Sequence, residues 1–309
     1  MASGERRRRR HAPASAQALR SRYAPGAAPD YSHRFHAGNV GDVWKHSALV
    51  EVLRRAAAGA GRVVYLDTHA GEGRYPLAPT GEWTEGIGCL AATPDGLPEP
   101  VARYLALCDS GRGRDRPAWY PGSPVLALAV LGPNAVLRMW ERDARAWTRL
   151  SAEVASDRRV EVIHGDGLAH LDQAVRDAAP SAVVALIDPP WTDKSDWHRV
   201  PQALARAAHA SATACFMLWY PVKSLTRPNA MVAQLEGAGV DGTLAELITT
   251  PLTQRRNRLN GSGLLLVRPP GGVREALAAM APALAERCAT TPGAWSFRMR
   301  SFVGSRAAR

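Results

Sequence analysis

Cysteine is scarce in this chain of 309 residues. The four present, Cys89, Cys108, Cys215 and Cys288, share no paired spacing, and none of the nine histidines forms an H-E-x-x-H. Neither a disulfide framework nor a zinc site is indicated, and no metal is expected. Long apolar runs are missing too: nothing approaches the roughly 20 residues of a membrane-spanning helix. A protein of the reducing cytoplasm, away from membranes, is the expectation. Acidic residues are in deficit, 28 against 39 Lys and Arg, for a net charge of +11. That surplus points to a polyanionic partner.

Part of the surplus is concentrated at the start. Met1 to Asp30 hold seven arginines, five of them at Arg6–Arg10, against Glu5 and Asp30, a balance of +5 that leaves +6 on the remainder. The stretch is otherwise Ala, Ser and Pro with almost nothing apolar to bury, so a disordered basic tail is expected over 1–30. It lacks the apolar h-region of a secretory signal. A nucleic-acid-attracting arm or a misplaced start is favoured over organellar import.

What is present is 46% hydrophobic residues, ample for a core. β-rich apolar runs recur at Arg62–Leu66, Ala135–Trp140, Arg159–Ile163, Ala182–Ile187, Ala212–Trp219 and Gly263–Val267, and helix-like segments lie between most of them, such as Ala144–Val154, Leu168–Ala178 and Trp197–Ala210. Such alternation predicts a mostly parallel α/β sheet covered on both faces, with ligands bound beyond the carboxyl ends of its strands. From Tyr75 to Trp119 the rhythm breaks into Gly, Pro and Arg with a possible helix at Glu99–Cys108. A structureless loop of that length is improbable in a compact domain, so a small inserted subdomain over about 75–119 is expected, placed to wall the site.

The chemistry gathers at predicted strand ends. Asp188-Pro189-Pro190-Trp191 follows the apolar run Ala182–Ile187. The two prolines remove donors and stiffen φ. The Asp188 carboxylate and the Pro189 carbonyl can then be two acceptors for one exocyclic NH₂, with Trp191 as a stacking face worth about 1–3 kcal/mol per base. A plain strand-ending turn is the alternative for the tetrapeptide alone. Asp67-Thr-His69-Ala-Gly71-Glu-Gly73 offers a close-approach loop or only a tight turn, and its spacing is not that of a dinucleotide fingerprint. Glu141 ends the second strand, where an ionised acceptor suits ribose hydroxyls, or precedes a helix N-cap. Asp166, with Gly167 leaving room for a ring, suits an adenine amine or caps a helix. Ser123 could hold a carboxylate at a helix N-terminus, or be a simple cap. Arg255, Arg256 and Arg258 read equally as an RNA-contacting loop or a solvated hairpin. The Gly-rich loop, Glu141, Asp166 and Asp188 occur in the order in which successive strands of one sheet present their ends. Together they indicate a methyltransferase using S-adenosylmethionine.

Several further segments sharpen this: Tyr31-Ser-His-Arg-Phe35-His36-Ala37-Gly38-Asn39, Asp42-Val43-Trp44-Lys45-His46, Tyr65-Leu66-Asp67-Thr68-His69-Ala70-Gly71, Tyr120-Pro121-Gly122-Ser123-Pro124 and Leu218-Trp219-Tyr220-Pro221. With Asp188-Pro-Pro they resemble the bacterial 23S rRNA adenine-N6 methyltransferase family, RlmJ, from about Tyr31 to the C-terminus. The resemblance implies a Rossmann-like methyltransferase fold over 31–309 with an inserted helical subdomain, S-adenosylmethionine as donor, and an adenine of free or early-assembly 23S rRNA as acceptor. It also implies cofactor contacts at His46, His69, Ser123, Glu141, Asp166, Gly167 and Asp188, a catalytic Asp188, and substrate contacts at Tyr31, Pro189, Pro190 and Trp191. A monomer is expected. The family commonly has Tyr where this chain has Trp191, which puts any role of a phenol hydroxyl there in doubt. The basic tail has no counterpart in the family's usual short start. An adenine-N6 DNA methyltransferase, or a non-catalytic RNA-binding protein on the same scaffold, are the competing readings.

Overall fold

The computed structural model describes residues 33–109, 119–254 and 259–305. The basic tail, Tyr31 and the arginines Arg255, Arg256 and Arg258 lie outside them.

After a short helix α1 (His33–His36), the long helix α2 (Val40–Gly59) starts at Asn39, whose side chain accepts from the Asp42 backbone N–H. The first unit is then β1 (Val63–Asp67), β2 (Arg74–Pro76), a 3-10 turn at Glu82–Glu85, α3 (Ile87–Ala92), α4 (Glu99–Asp109), β3 (Trp119–Pro121) and α5 (Ser123–Val130). Strand and helix alternate from there through β4 (Val136–Glu141), α6 (Ala144–Val154), β5 (Val160–His164), α7 (Gly167–Asp177), β6 (Ala182–Ile187), α8 (Asp196–Ala210), β7 (Cys215–Val222) and α9 (Thr226–Gly237). The chain closes with β8 (Gly242–Ile248), β9 (Gly261–Val267), α10 (Val273–Cys288) and β10 (Ser296–Phe302).

The main sheet has the order β10-β8-β9-β7-β6-β1-β4-β5. Strands β5, β4, β1, β6 and β7 are parallel, and β9, β8 and β10 extend the sheet by antiparallel pairing. Chain order reverses between β1 and β6, so a crevice opens beyond their carboxyl ends. The parallel strands fall within about three residues of their predicted positions. Strand β7 runs furthest past its expected end, from Trp219 to Val222, where β9 pairs with it along its whole extension. Strands β8 and β10 were not foreseen.

Period-2 alternation divides the core. Tyr65 and Leu186 face one layer with Trp44, Leu49 and Leu53 of α2, while Leu66, Ala185 and Ile187 face the other with Leu171, Val200 and Leu204 of α7 and α8. The segment between β2 and β3 is closed at its base by their antiparallel pairing. Its Ile87, Leu90, Val101 and Tyr104 join the same apolar layer as α2. Ile87 also donates its N–H to the Gly38 carbonyl at 2.9 Å, tying α3 to the start of α2.

Candidate active site

Four strand ends and one helix converge on the crevice. Asp188 follows β6 directly, and its Oδ2 accepts from Lys45 Nζ at 2.5 Å; the same ammonium reaches Asp42 Oδ1 at 2.7 Å. Asp42 and Lys45 lie three residues apart on one face of α2. Burial works against the Lys45 ammonium, but the carboxylates of Asp188 and Asp42 outweigh it and hold its pKa well above the ordinary lysine value. Lys45 also lies 5.5 Å from the centre of the Trp219 ring.

Beyond Asp188, Pro189 is buried and Pro190 exposed. Trp191 takes φ 56, a left-handed conformation that costs a non-glycine residue about 1–2 kcal/mol. Two contacts hold it there: its indole N–H donates to the Trp219 carbonyl at 3.1 Å, and its ring lies 4.3 Å from that of Trp197. Trp219 thus meets Trp191 through its carbonyl and, through its ring, the Lys45 ammonium that pairs with Asp188.

The loop after β1 is organised by Asp67, which is fully buried. It accepts from the Tyr65 hydroxyl at 2.8 Å, the Ser123 hydroxyl at 2.7 Å and the His69 backbone N–H at 3.2 Å. Desolvation still dominates and pushes its pKa from 3.8 to about 6. Ser123 is the first residue of α5, capped by Gly122, so the carboxylate its hydroxyl holds is Asp67 of the protein itself. Burial lowers the His69 pKa to about 4, so its ring is neutral at pH 7. Gly71 takes φ 67, where an added Cβ would lie 2.0 Å from the Tyr75 hydroxyl. Its N–H donates to Glu141 Oε2 at 2.8 Å, while Glu141 Oε1 accepts from Asp143 N–H at 2.7 Å. Asp166 caps α7 through Leu168 N–H at 3.0 Å and pairs with Arg199 at 2.9 Å. A cavity of about 190 Å³ opens beside this pair, between α7 and α8. Gly167 is required by packing, since a Cβ would lie 2.6 Å from Thr68 backbone. His46 is buried in α2 and bonds the Tyr120 hydroxyl at 2.7 Å.

His69, Glu141, Asp166 and Asp188 therefore sit at the carboxyl ends of four adjacent parallel strands; Lys45 is hydrogen-bonded to Asp188, and Ser123 to Asp67 at the end of β1. Residues 61–301 match the family described as Ribosomal RNA large subunit methyltransferase D, RlmJ. The chain belongs to the RlmJ family. Ribosomal RNA large subunit methyltransferase J of Escherichia coli is 32% identical over 246 residues, covering 78% of this chain and 87% of that protein. The Haemophilus influenzae protein of the same name is 32% identical over 247 residues, with the same coverage. Among solved structures, protein LPL1258 from Legionella pneumophila superposes with a TM-score of 0.78 at 25% identity, covering 88% of this chain and 99% of that one. Within this member of the RlmJ family, roles for Lys45, Asp42, Asp67 and Trp219 were not drawn from the sequence. The spacing Asp42-x-x-Lys45 inside an apolar helix was the one local signal available, because a buried charge needs a partner.

Proposed function

We propose that this protein transfers a methyl group from S-adenosylmethionine to the N6 of an adenine in 23S rRNA. The observation that carries the reading is Asp188, ion-paired at the end of β6 and followed by Pro-Pro-Trp, in a chain of the RlmJ family.

The residues present fit the cofactor. A carboxylate offers about four lone-pair sites. Two backbone N–H groups engage Glu141, leaving capacity for ribose hydroxyls; one backbone N–H and Arg199 engage Asp166, leaving capacity for an adenine amine. Gly71, at positive φ, keeps the loop backbone close to that space, and His69 and Ser123 flank it. When bound, S-adenosylmethionine supplies the electrophilic methyl group.

The N6 lone pair of adenine is delocalised into the ring, so the amine is a poor nucleophile until its hydrogens are held and the nitrogen can pyramidalise. Asp188 and the Pro189 carbonyl serve as the two acceptors. Lys45 fixes the Asp188 carboxylate, and Trp191, locked by Trp219 and Trp197, offers its ring to the base. Holding the reacting atoms about 3–3.5 Å apart supplies much of the acceleration. The methylated nitrogen is strongly acidic while cationic, and Asp188 or a water takes its proton.

A tritiated-methyl transfer assay offering protein-free 23S rRNA, ribosomes and DNA side by side tests the reading. Label is expected in N6-methyladenosine of the rRNA. Label in DNA instead would make this an adenine-N6 DNA methyltransferase, and cofactor-free binding of RNA with no label would make it a binding protein on this scaffold.

A further inference from the structure

We propose that Lys194, Lys223 and Arg227 form the landing surface for the phosphates of the RNA strand that flanks the target base, an assignment that rests on the rRNA reading above.

All three are exposed and lie on the rim of the sheet that carries Asp188. Lys194 stands in the loop between β6 and α8, Lys223 directly after β7, and Arg227 in the first turn of α9. None of them has a carboxylate partner among the described residues. Elsewhere on the surface Arg54, Arg149, Arg176 and Arg199 each hold an acid. An exposed pair is worth little in stability, but a cation left without an acid near a site keeps its charge available for a phosphate.

Arg227 adds a second observation. Its guanidinium carbon lies 5.9 Å from the centre of the Trp197 ring, and Trp197 in turn lies 4.3 Å from Trp191. A cation–π contact of this kind keeps the guanidinium near the ring while its N–H groups remain available to a phosphate. The column Arg227, Trp197, Trp191 then runs from a phosphate-binding group to the ring assigned to the target base. Asp193 is the exposed acid closest in sequence; it is held at low pKa chiefly by the Ser195 backbone N–H and side chain and only weakly by Arg199 and Arg142.

The occupant is single-stranded or splayed RNA, because a base must leave its stack to reach Asp188. The test is the salt dependence of affinity for a protein-free 23S rRNA transcript. Each neutralised single-strand phosphate contributes about −0.7 to the slope of log affinity against log salt. The combined variant Lys194→Ala, Lys223→Ala, Arg227→Ala should lose roughly 2 from that slope and show a raised KM for RNA, with its thermal unfolding midpoint in place. Arg62→Ala with Arg158→Ala, exposed cations before β1 and β5 on the opposite rim, should leave the slope alone. An unchanged slope in the triple variant, with a wild type that binds RNA, overturns the surface and leaves the substrate reading standing. A wild type that neither binds nor methylates the transcript overturns both.

Discussion

At the scale of single residues, two carboxylates in one crevice are set apart by their surroundings. Asp188 faces an ammonium at 2.5 Å, whereas Asp67 is fully buried and faces only neutral donors. Asp188→Ala should slow methyl transfer about 10²–10⁴-fold, the usual scale for a positioned acid–base group. The fold should survive, since Lys45 keeps Asp42 as its counter-ion; single-turnover methylation of 23S rRNA reads the rate, and near-normal turnover would remove Asp188 from the chemistry. Asp67 makes a prediction in pH. Its folded-state pKa, raised from 3.8 to about 6, means that ionisation costs the fold free energy: nothing below pH 4, an increasing amount from 4 to 6, and the whole above. The unfolding free energy of Asp67→Asn minus that of the wild type should therefore rise with pH across this window, by on the order of 3 kcal/mol, and be flat on either side. Denaturant titrations from pH 3.5 to 8 give the difference directly; a constant offset would show that Asp67 does not titrate there.

Elements are joined to the site through a row of side chains that crosses four strands. Tyr220 of β7 is registered with Gly263 of β9, Gly263 with Glu246 of β8, and Glu246 with Arg298 of β10. Because Gly263 has no side chain, the Tyr220 hydroxyl reaches over it to Glu246 Oε1 at 2.8 Å, and Arg298 Nε bonds Glu246 Oε2 at 2.7 Å. The next residue back along β7 is Trp219, whose carbonyl accepts from Trp191, so the row ends one residue from a contact of the motif. A Cβ on Gly263 would lie 2.1 Å from the Tyr220 ring. Gly263→Ala should destabilise by about 1–3 kcal/mol or more through overpacking. It should also lower the rate at saturating RNA, because Tyr220 is displaced beside Trp219. Thermal unfolding and single-turnover assays together check this; loss of stability with an unchanged rate would show that the row supports the sheet but not the site.

For the whole molecule, the net charge of +11 divides between a tail at +5 and a body at +6. Deleting Met1–Asp30 should reduce the salt slope of RNA affinity while leaving the unfolding midpoint in place, since among the described residues the buried core begins at Ala37. An unchanged slope would exclude the tail as an RNA arm. By itself the sequence determined the parallel strands and which residues stand at their tips, because a strand end followed by Gly, Pro or a lone carboxylate is a local pattern. Glu141 as the last residue of β4 and Asp166 as the cap of α7 follow from neighbours within a few positions. Only the tertiary structure decided which partners these groups have. Lys45 and Asp188 are 143 residues apart, Ser123 and Asp67 are 56 apart, and no periodicity connects them. The same holds for β8 and β10: Glu246 and Arg298 interrupt their apolar patterns and hid them as strands, and each is tolerated because the sheet brings the other, with Tyr220, to its side. Burial of a charge is decided by what it meets across the fold, and that meeting is a property of the packed chain.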